Sequence, residues 1–105
     1  MISHETAEQL AFYRKTIDNL DSALLHILAE RFRCTEEVGH LKAEQAMSAT
    51  DSERERRQMD RLRNIADDVG LNHLFVEKLM HLIVGTVVER HREIAAESEE
   101  LAGPI

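Results

Sequence analysis

The chain lacks most of the residues that break helices or build sheets. Its 105 residues include one proline, four glycines and no tryptophan, and aromatic residues make up only 4% of it. Alanine, leucine, glutamate and arginine dominate instead, and no segment alternates apolar and polar residues with the period of a strand. The composition therefore predicts an all-α fold, and the length predicts a single domain over residues 1–105.

The chain also lacks a basic excess, a second cysteine and any long apolar run. A net charge of −7 disfavours nucleic acid as a partner. With Cys34 alone, no intrachain disulfide can form, and the position of Cys34 on an apolar helix face predicts that it is packed. Residues 1–11 show no secretory signal, and no apolar run approaches a membrane span in length. We expect no membrane association and a cytoplasmic location.

One long helix is predicted from about residue 7 to residue 46, with an apolar seam at alternating steps of three and four residues. The seam positions are Leu10, Tyr13, Ile17, Leu20, Leu24, Ile27, Arg31, Cys34, Val38, Leu41 and Gln45. Such a helix would be roughly 60 Å long, more than the rest of a short chain can cover. We therefore expect an intertwined homodimer of three-helix protomers. The alternative is a helix that breaks near its middle and folds back.

Arg31 is the charged residue on this seam, whose other positions are apolar or neutral. A buried guanidinium without an anionic partner leaves its desolvation cost uncompensated. No acidic residue shares the seam, so the anion is a ligand or a carboxylate from another helix. Lys42 follows eleven residues later, close to three full turns, and points from the same face roughly 16 Å along the axis. Together the two side chains can bracket a small anion.

Arg14 cannot reach an anion held by Arg31 and Lys42 of its own protomer. It precedes Arg31 by seventeen residues, which places it roughly 25 Å away and about 100° around the helix. In an antiparallel dimer, however, Arg14 of one chain can lie beside Arg31 of the other. The predicted dimer then has two equivalent pockets, each built from both chains.

Two shorter helices are predicted over about residues 51–68 and 72–97, followed by a loose C-terminal tail. Residues 50–53 have the T-x-x-E form of a capping box for helix two. Gly70 suits the position after that helix, and Asn72 suits the cap of helix three.

The start of helix two carries Asp51 and Glu55, four residues apart on one face, with Arg54 at its edge. These carboxylates are either ordinary acids at a solvated helix start or a hydroxyl-binding pair that faces the pocket. The sequence shows no Ser/His/Asp arrangement typical of nucleophilic catalysis, and its histidines do not have the H-x-x-x-H spacing of a metal site. What remains is a cationic pocket that binds a polyanion and can catalyse by positioning and electrostatics, with no metal or cofactor.

These residues resemble the all-helical (AroQ-type) chorismate mutases over about residues 7–95. The matching motifs are R-x-x-I-x-x-L-D at 14–21, A-E-R at 29–31, V-G-x-x-K at 38–42 and D-x-x-R-E-R at 51–56. Residues 28–35 and 90–93 look like a proteobacterial branch of that family. The resemblance implies an intertwined homodimer that converts chorismate to prephenate by a Claisen rearrangement, on the path to phenylalanine and tyrosine.

The resemblance also implies roles for the charged residues. Arg31 and Arg14 of the partner subunit would hold the two carboxylates of chorismate in the reactive conformer. Lys42 would contact the ether oxygen as the C–O bond breaks. Glu55, with Asp51, would bind the ring hydroxyl, and the implied role of the remaining residue, Arg54, is to line the site.

Helix three departs from the family pattern, in which a small polar residue precedes a glutamine or glutamate by four positions. Here Val87 and His91 stand at those positions. Val87 cannot donate a hydrogen bond, so that contact is lost or supplied by Thr86 or the backbone. His91 could donate to the ether oxygen in place of the amide; alternatively, His91 is a partly exposed residue near the helix end and Lys42 works alone.

Other functions remain open from the sequence. An isochorismate pyruvate lyase or a mutase of an amino-substituted chorismate would use the same scaffold. Helix two carries Asp51, Arg54 and Glu55, and this set favours a mutase that binds a ring hydroxyl. A non-catalytic helical dimer or regulatory module would leave the three basic residues of the first helix unexplained. The acidic end, residues 93–100, is either a docking tail or a solvated helix end.

Overall fold

The structure is a computed structural model that describes residues 1–101, and over that range it contains three α-helices and no strand. Helix α1 spans His4–Glu44, α2 spans Ser52–Val69 and α3 spans His73–Leu101. The predicted all-α fold with one very long N-terminal helix is confirmed. The predicted loose tail comprises residues 101–105; Leu101 is instead the last residue of α3, and residues 102–105 lie outside the described residues. Across residues 1–101, no helix combines the length and apolarity needed to cross a membrane.

Helix α1 is continuous over 41 residues, so the alternative of a helix that breaks near its middle is wrong. It ends where Ala46 adopts a left-handed backbone conformation, with φ 52°. There the N–H of Met47 donates to the carbonyl oxygen of Lys42 at 2.8 Å, which satisfies one of the free carbonyls at the helix end.

Asp51, rather than Thr50, caps α2. Its Oδ1 accepts the backbone N–H of Arg54 at 3.0 Å, whereas the Thr50 hydroxyl lies 3.2 Å from that of Ser48. The predicted capping box is therefore wrong in its capping residue. A carboxylate at a helix N-terminus makes a charge-assisted bond and also interacts with the helix dipole, so Asp51 caps better than a neighbouring hydroxyl.

The predicted glycine after α2 and the predicted cap of α3 are confirmed. Gly70 follows α2 in the left-handed conformation, with φ 77°, which glycine adopts without strain. Asn72 caps α3, because its Oδ1 accepts the N–H of Phe75 at 3.1 Å. Helix α3 continues through the acidic segment to Leu101, beyond the predicted end at 97.

The chain divides into two compact units, of which Met1–Cys34 is the first. This unit consists of α1 up to Cys34, and its apolar seam is exposed. Tyr13, Leu20 and Ile27 are 62%, 62% and 65% exposed. Cys34 is exposed as well, so its own chain does not supply the predicted packing.

The second unit, from Thr35 on, contains the buried core. Helix α3 packs there against α2 and against the last turns of α1. The buried apolar residues are Ala66, Val76, Ile83 and Ile94. At the edge of this core, Arg63 of α2 binds Glu77 of α3 at 2.7 Å.

Gly39 allows α1 to approach α3 closely within the second unit. It is buried, and a Cβ built on it would lie 2.6 Å from His91 Cδ2 and 2.8 Å from Ile94 Cδ1. Both separations are well below ordinary carbon–carbon contact distances. At this crossing, therefore, a side chain larger than a hydrogen atom requires the His91 ring and the Ile94 side chain to shift or the two helices to separate.

We expect Gly39→Ala to destabilise the protein, because overpacking outweighs the gain in helix propensity, with a net loss of about 1–2 kcal/mol. Gly85→Ala is the matched control, since a Cβ built on Gly85 meets nothing within 4 Å inside α3. That change should stabilise by about 0.5–1 kcal/mol. Urea unfolding of both variants checks this. Equal stabilisation by the two alanines would contradict the close crossing.

Candidate active site

His91 of α3 is the buried polar residue where α3 meets α1. It is 4% exposed, and its Nε2 lies 2.7 Å from the backbone carbonyl oxygen of Thr35. A carbonyl oxygen can only accept, so Nε2 carries the hydrogen. The other ring nitrogen, Nδ1, is buried and has no hydrogen-bond partner. Leaving such an atom unpaired costs about 1–3 kcal/mol, and a ligand that bonded to it would recover that cost.

Arg90 and Glu36 join α3 to α1 beside His91. Arg90 Nε donates to Glu36 Oε1 and Nη2 donates to Oε2, both at 2.8 Å. These hydrogen bonds hold the pKa of Glu36 below its ordinary value of 4.5, and the positive charge of Arg90 acts in the same direction. The bonds to Glu36 and then to Glu93 raise the pKa of Arg90 above its ordinary range. The pair is thus fully charged at neutral pH.

Lys42 lies one turn after Gly39 on α1 and is half-buried. Its ammonium donates to the carbonyl oxygen of Ala49 at 3.4 Å, in the loop before α2. A hydrogen bond of that length is weak. An anionic ligand can therefore replace it at little cost.

Arg31 lies in the first unit and is half-buried, and its Nη1 is buried with no hydrogen-bond partner. Its neighbour Arg33, by contrast, binds Glu30 at 2.7 Å. Arg31 Nη1 thus lacks the anion that a buried guanidinium requires.

The remaining predicted site residues have simpler surroundings. Arg14, Arg54 and Glu55 are exposed on the protomer, as is Asp51, whose Oδ1 serves as the α2 cap. Val87 is half-buried. The neighbouring Thr86 hydroxyl donates to the carbonyl oxygen of Leu82 at 2.8 Å, so its hydrogen is engaged within α3.

Sequence reasoning missed the contact that positions His91. The glycine of V-G-x-x-K was a usable signal, because glycine is unfavourable inside a long helix unless close packing requires it. The Glu36–Arg90 pair had no such signal, since 54 residues separate its members. Among residues 1–101, no group of three or more His, Cys, Asp or Glu is arranged to hold a metal ion.

Comparison with known proteins adds to this geometry. Residues 13–92 match the family described as chorismate mutase type II. The chain belongs to this family. It is also similar to the chorismate mutase of Methanocaldococcus jannaschii, with 29% identity over 77 residues that cover 73% of this chain and 78% of the relative. The range that matches the chorismate mutase family includes every predicted site residue, from Arg14 to His91.

The Glu36–Arg90 pair makes the protein sensitive to acid. Since the folded-state pKa of Glu36 lies below its ordinary value, the stabilisation is present above about pH 4.5 and is lost as the pH falls through the folded-state pKa. We expect Glu36→Gln to lower stability at pH 7 and to flatten its decline below pH 5. Urea unfolding between about pH 7 and pH 3 measures this.

Glu53→Gln is the control, because Glu53 forms a comparable 2.8 Å bond with Arg56, but exposed and within α2. It should retain the acid sensitivity of the unchanged protein. A Glu36→Gln protein that loses stability with acid as steeply as the unchanged protein would contradict the assignment.

Proposed function

We propose that this chain is a chorismate mutase, which rearranges chorismate to prephenate in the synthesis of phenylalanine and tyrosine. The match to the chorismate mutase type II family over residues 13–92 carries the proposal. A Claisen rearrangement breaks a C–O bond and forms a C–C bond within one molecule. It requires no nucleophile, metal or cofactor, so positioning and electrostatic stabilisation suffice.

Arg31 and Arg14 of the partner subunit hold the two carboxylates of chorismate. The buried, unpaired Nη1 of Arg31 supports this role, because it lacks an anion. A bidentate arginine fixes both the position and the orientation of a carboxylate, as the compact reactive conformer requires. Lys42 donates to the ether oxygen, where negative charge grows as the C–O bond breaks.

The polar residues of α2 and α3 complete the proposed site. Glu55, with Asp51, binds the ring hydroxyl, and Arg54 lines the pocket. The Arg54 amide bond to Asp51 fixes the first turn of α2, on which Glu55 is presented. On α3, Val87 makes apolar contact, and His91 is the second donor to the ether oxygen.

The enzyme acts as an intertwined homodimer. The apolar seam of α1 supports this, because its large side chains are exposed on the protomer and an apolar face of this extent requires a partner. The same helix carries Arg14, Arg31 and Lys42, so pairing two copies of α1 can form the pocket and the interface together.

We also place the chain in a proteobacterial branch of the family and in the cytoplasm. The branch rests on the residues at 28–35 and 90–93. The location rests on the pathway in which chorismate mutases act.

Related activities differ from this proposal in their products. An isochorismate pyruvate lyase releases pyruvate, and a mutase of an amino-substituted chorismate does not require acids that bind a ring hydroxyl. Asp51 and Glu55 favour the mutase of chorismate itself. A non-catalytic dimer would turn over neither substrate and would not be stabilised by a dianionic transition-state mimic.

Arg31→Ala should abolish prephenate formation, with a loss in kcat/KM of about a hundredfold or more, because a substrate carboxylate loses its charge-assisted partner. Loss of chorismate absorbance with identification of the product measures this. The control is Arg33→Ala, which removes a neighbouring arginine that pairs with Glu30 and should retain full activity. Pyruvate release would point to the lyase, and full activity of Arg31→Ala would refute the assigned role.

Mixed dimers test whether Arg14 serves the partner's pocket. Arg14→Ala and Lys42→Ala chains, each inactive alone, should recover activity when coexpressed. A mixed dimer then has one pocket with both residues intact, so random pairing restores about a quarter of the unchanged activity. If Arg14 served its own chain's pocket, every pocket would lack one residue and no activity would return.

A further inference from the structure

We propose that His91 acts on the substrate as an imidazolium, and that it takes up a proton when the dianionic substrate binds. This inference rests on the proposed mutase function and adds the charge state of one residue in that site. It predicts that the reaction weakens as the pH rises through the range in which histidine side chains lose their charge, about pH 5–8.

The hydrogen bond to Thr35 determines which ring nitrogen is available. Nε2 donates to the Thr35 carbonyl oxygen at 2.7 Å, so its hydrogen cannot also serve the substrate. On one side the ring packs directly against Gly39, where a Cβ would lie only 2.6 Å from His91 Cδ2, so the ring cannot move in that direction. Nδ1 is therefore the nitrogen that can meet a ligand, and it is buried and unpaired.

A neutral ring held in this way cannot help the reaction. With the hydrogen on Nε2, Nδ1 presents a lone pair, which repels the lone pairs of an ether oxygen. A donation from Nδ1 requires a second proton on the ring. The imidazolium then stabilises the negative charge that develops on the ether oxygen, alongside the ammonium of Lys42.

The charged groups around His91 explain why protonation would depend on substrate. From α1, the carboxylate of Glu36 interacts with the ring, His40 lies 3.7 Å from that carboxylate, and Lys42 contributes an ammonium. From α3, Arg90 neutralises Glu36 and is itself bound by Glu93.

Without substrate, the carboxylate of Glu36 is already paired with Arg90. A bound dianion adds two negative charges and favours a second proton on the His91 ring. The proton comes from solvent and returns there after product release, because none is transferred in the rearrangement.

The test compares pH profiles of kcat/KM for prephenate formation in the unchanged protein and in His91→Gln. The unchanged protein should lose activity by about tenfold or more between pH 6 and pH 8.5. His91→Gln should show a flat profile, because an amide donates at every pH. His81→Gln, which changes an exposed histidine on the same helix, should retain the sloping profile.

A flat profile in the unchanged protein, or an equal slope in His91→Gln, would overturn the inference while leaving the mutase function intact. Absence of prephenate at every pH would instead refute the proposed function, and this inference with it.

A second measurement needs no variant, in case His91→Gln does not fold. Nitrogen-15 spectra of the histidine rings in the unchanged protein report the proton on each ring nitrogen. At pH 7.5 we expect a neutral ring protonated at Nε2 without ligand, and a ring protonated at both nitrogens with a dianionic bicyclic ether that mimics the transition state. A ring that stays neutral with that ligand bound would overturn the inference.

Discussion

The close crossing of α1 and α3 at Gly39 is the constraint on which the candidate site depends. His91 can reach the Thr35 carbonyl, and Arg90 can reach Glu36, only because the two helices come this near. Packing is the main stabilising term here. The Glu36–Arg90 pair is more than one-third exposed, and solvent screening makes the contribution of such exposed pairs small. The buried contacts of Gly39 and Ile94 are therefore the main contribution at the crossing, and the ion pair lies at its edge.

Local features of the sequence were enough to predict the helices. Scarce proline and glycine, the heptad-like seam and the caps at Gly70 and Asn72 act within a few residues of each other, so they can be read without the fold. The prediction of Thr50 as the α2 cap was wrong because the side chains of Thr50 and Asp51 both suit the position. In the structure the Asp51 side chain is the one that reaches the Arg54 amide.

The candidate site could be predicted from the sequence only in part, because some of its features depend on contacts between residues far apart in the chain. Arg31 stood out because a charge on an apolar seam violates a local rule, and violations of that kind concentrate at functional sites. The tautomer of His91 depends on a backbone atom 56 positions earlier, which no periodicity reports. Candidate site residues could therefore be proposed from the sequence, whereas their hydrogen-bonding states required the packing.

The two buried nitrogens without partners, Arg31 Nη1 and His91 Nδ1, are better explained by function than by stability. Each costs about 1–3 kcal/mol, a sizeable fraction of the stability of a small protein. If Arg31 binds a substrate carboxylate as proposed, a glutamate placed to satisfy it would remove that cost but would compete with the substrate for the same guanidinium. Leaving the nitrogen unpaired keeps the guanidinium available to an anion. On this proposal the empty protein gives up some stability, and the substrate supplies the missing partner.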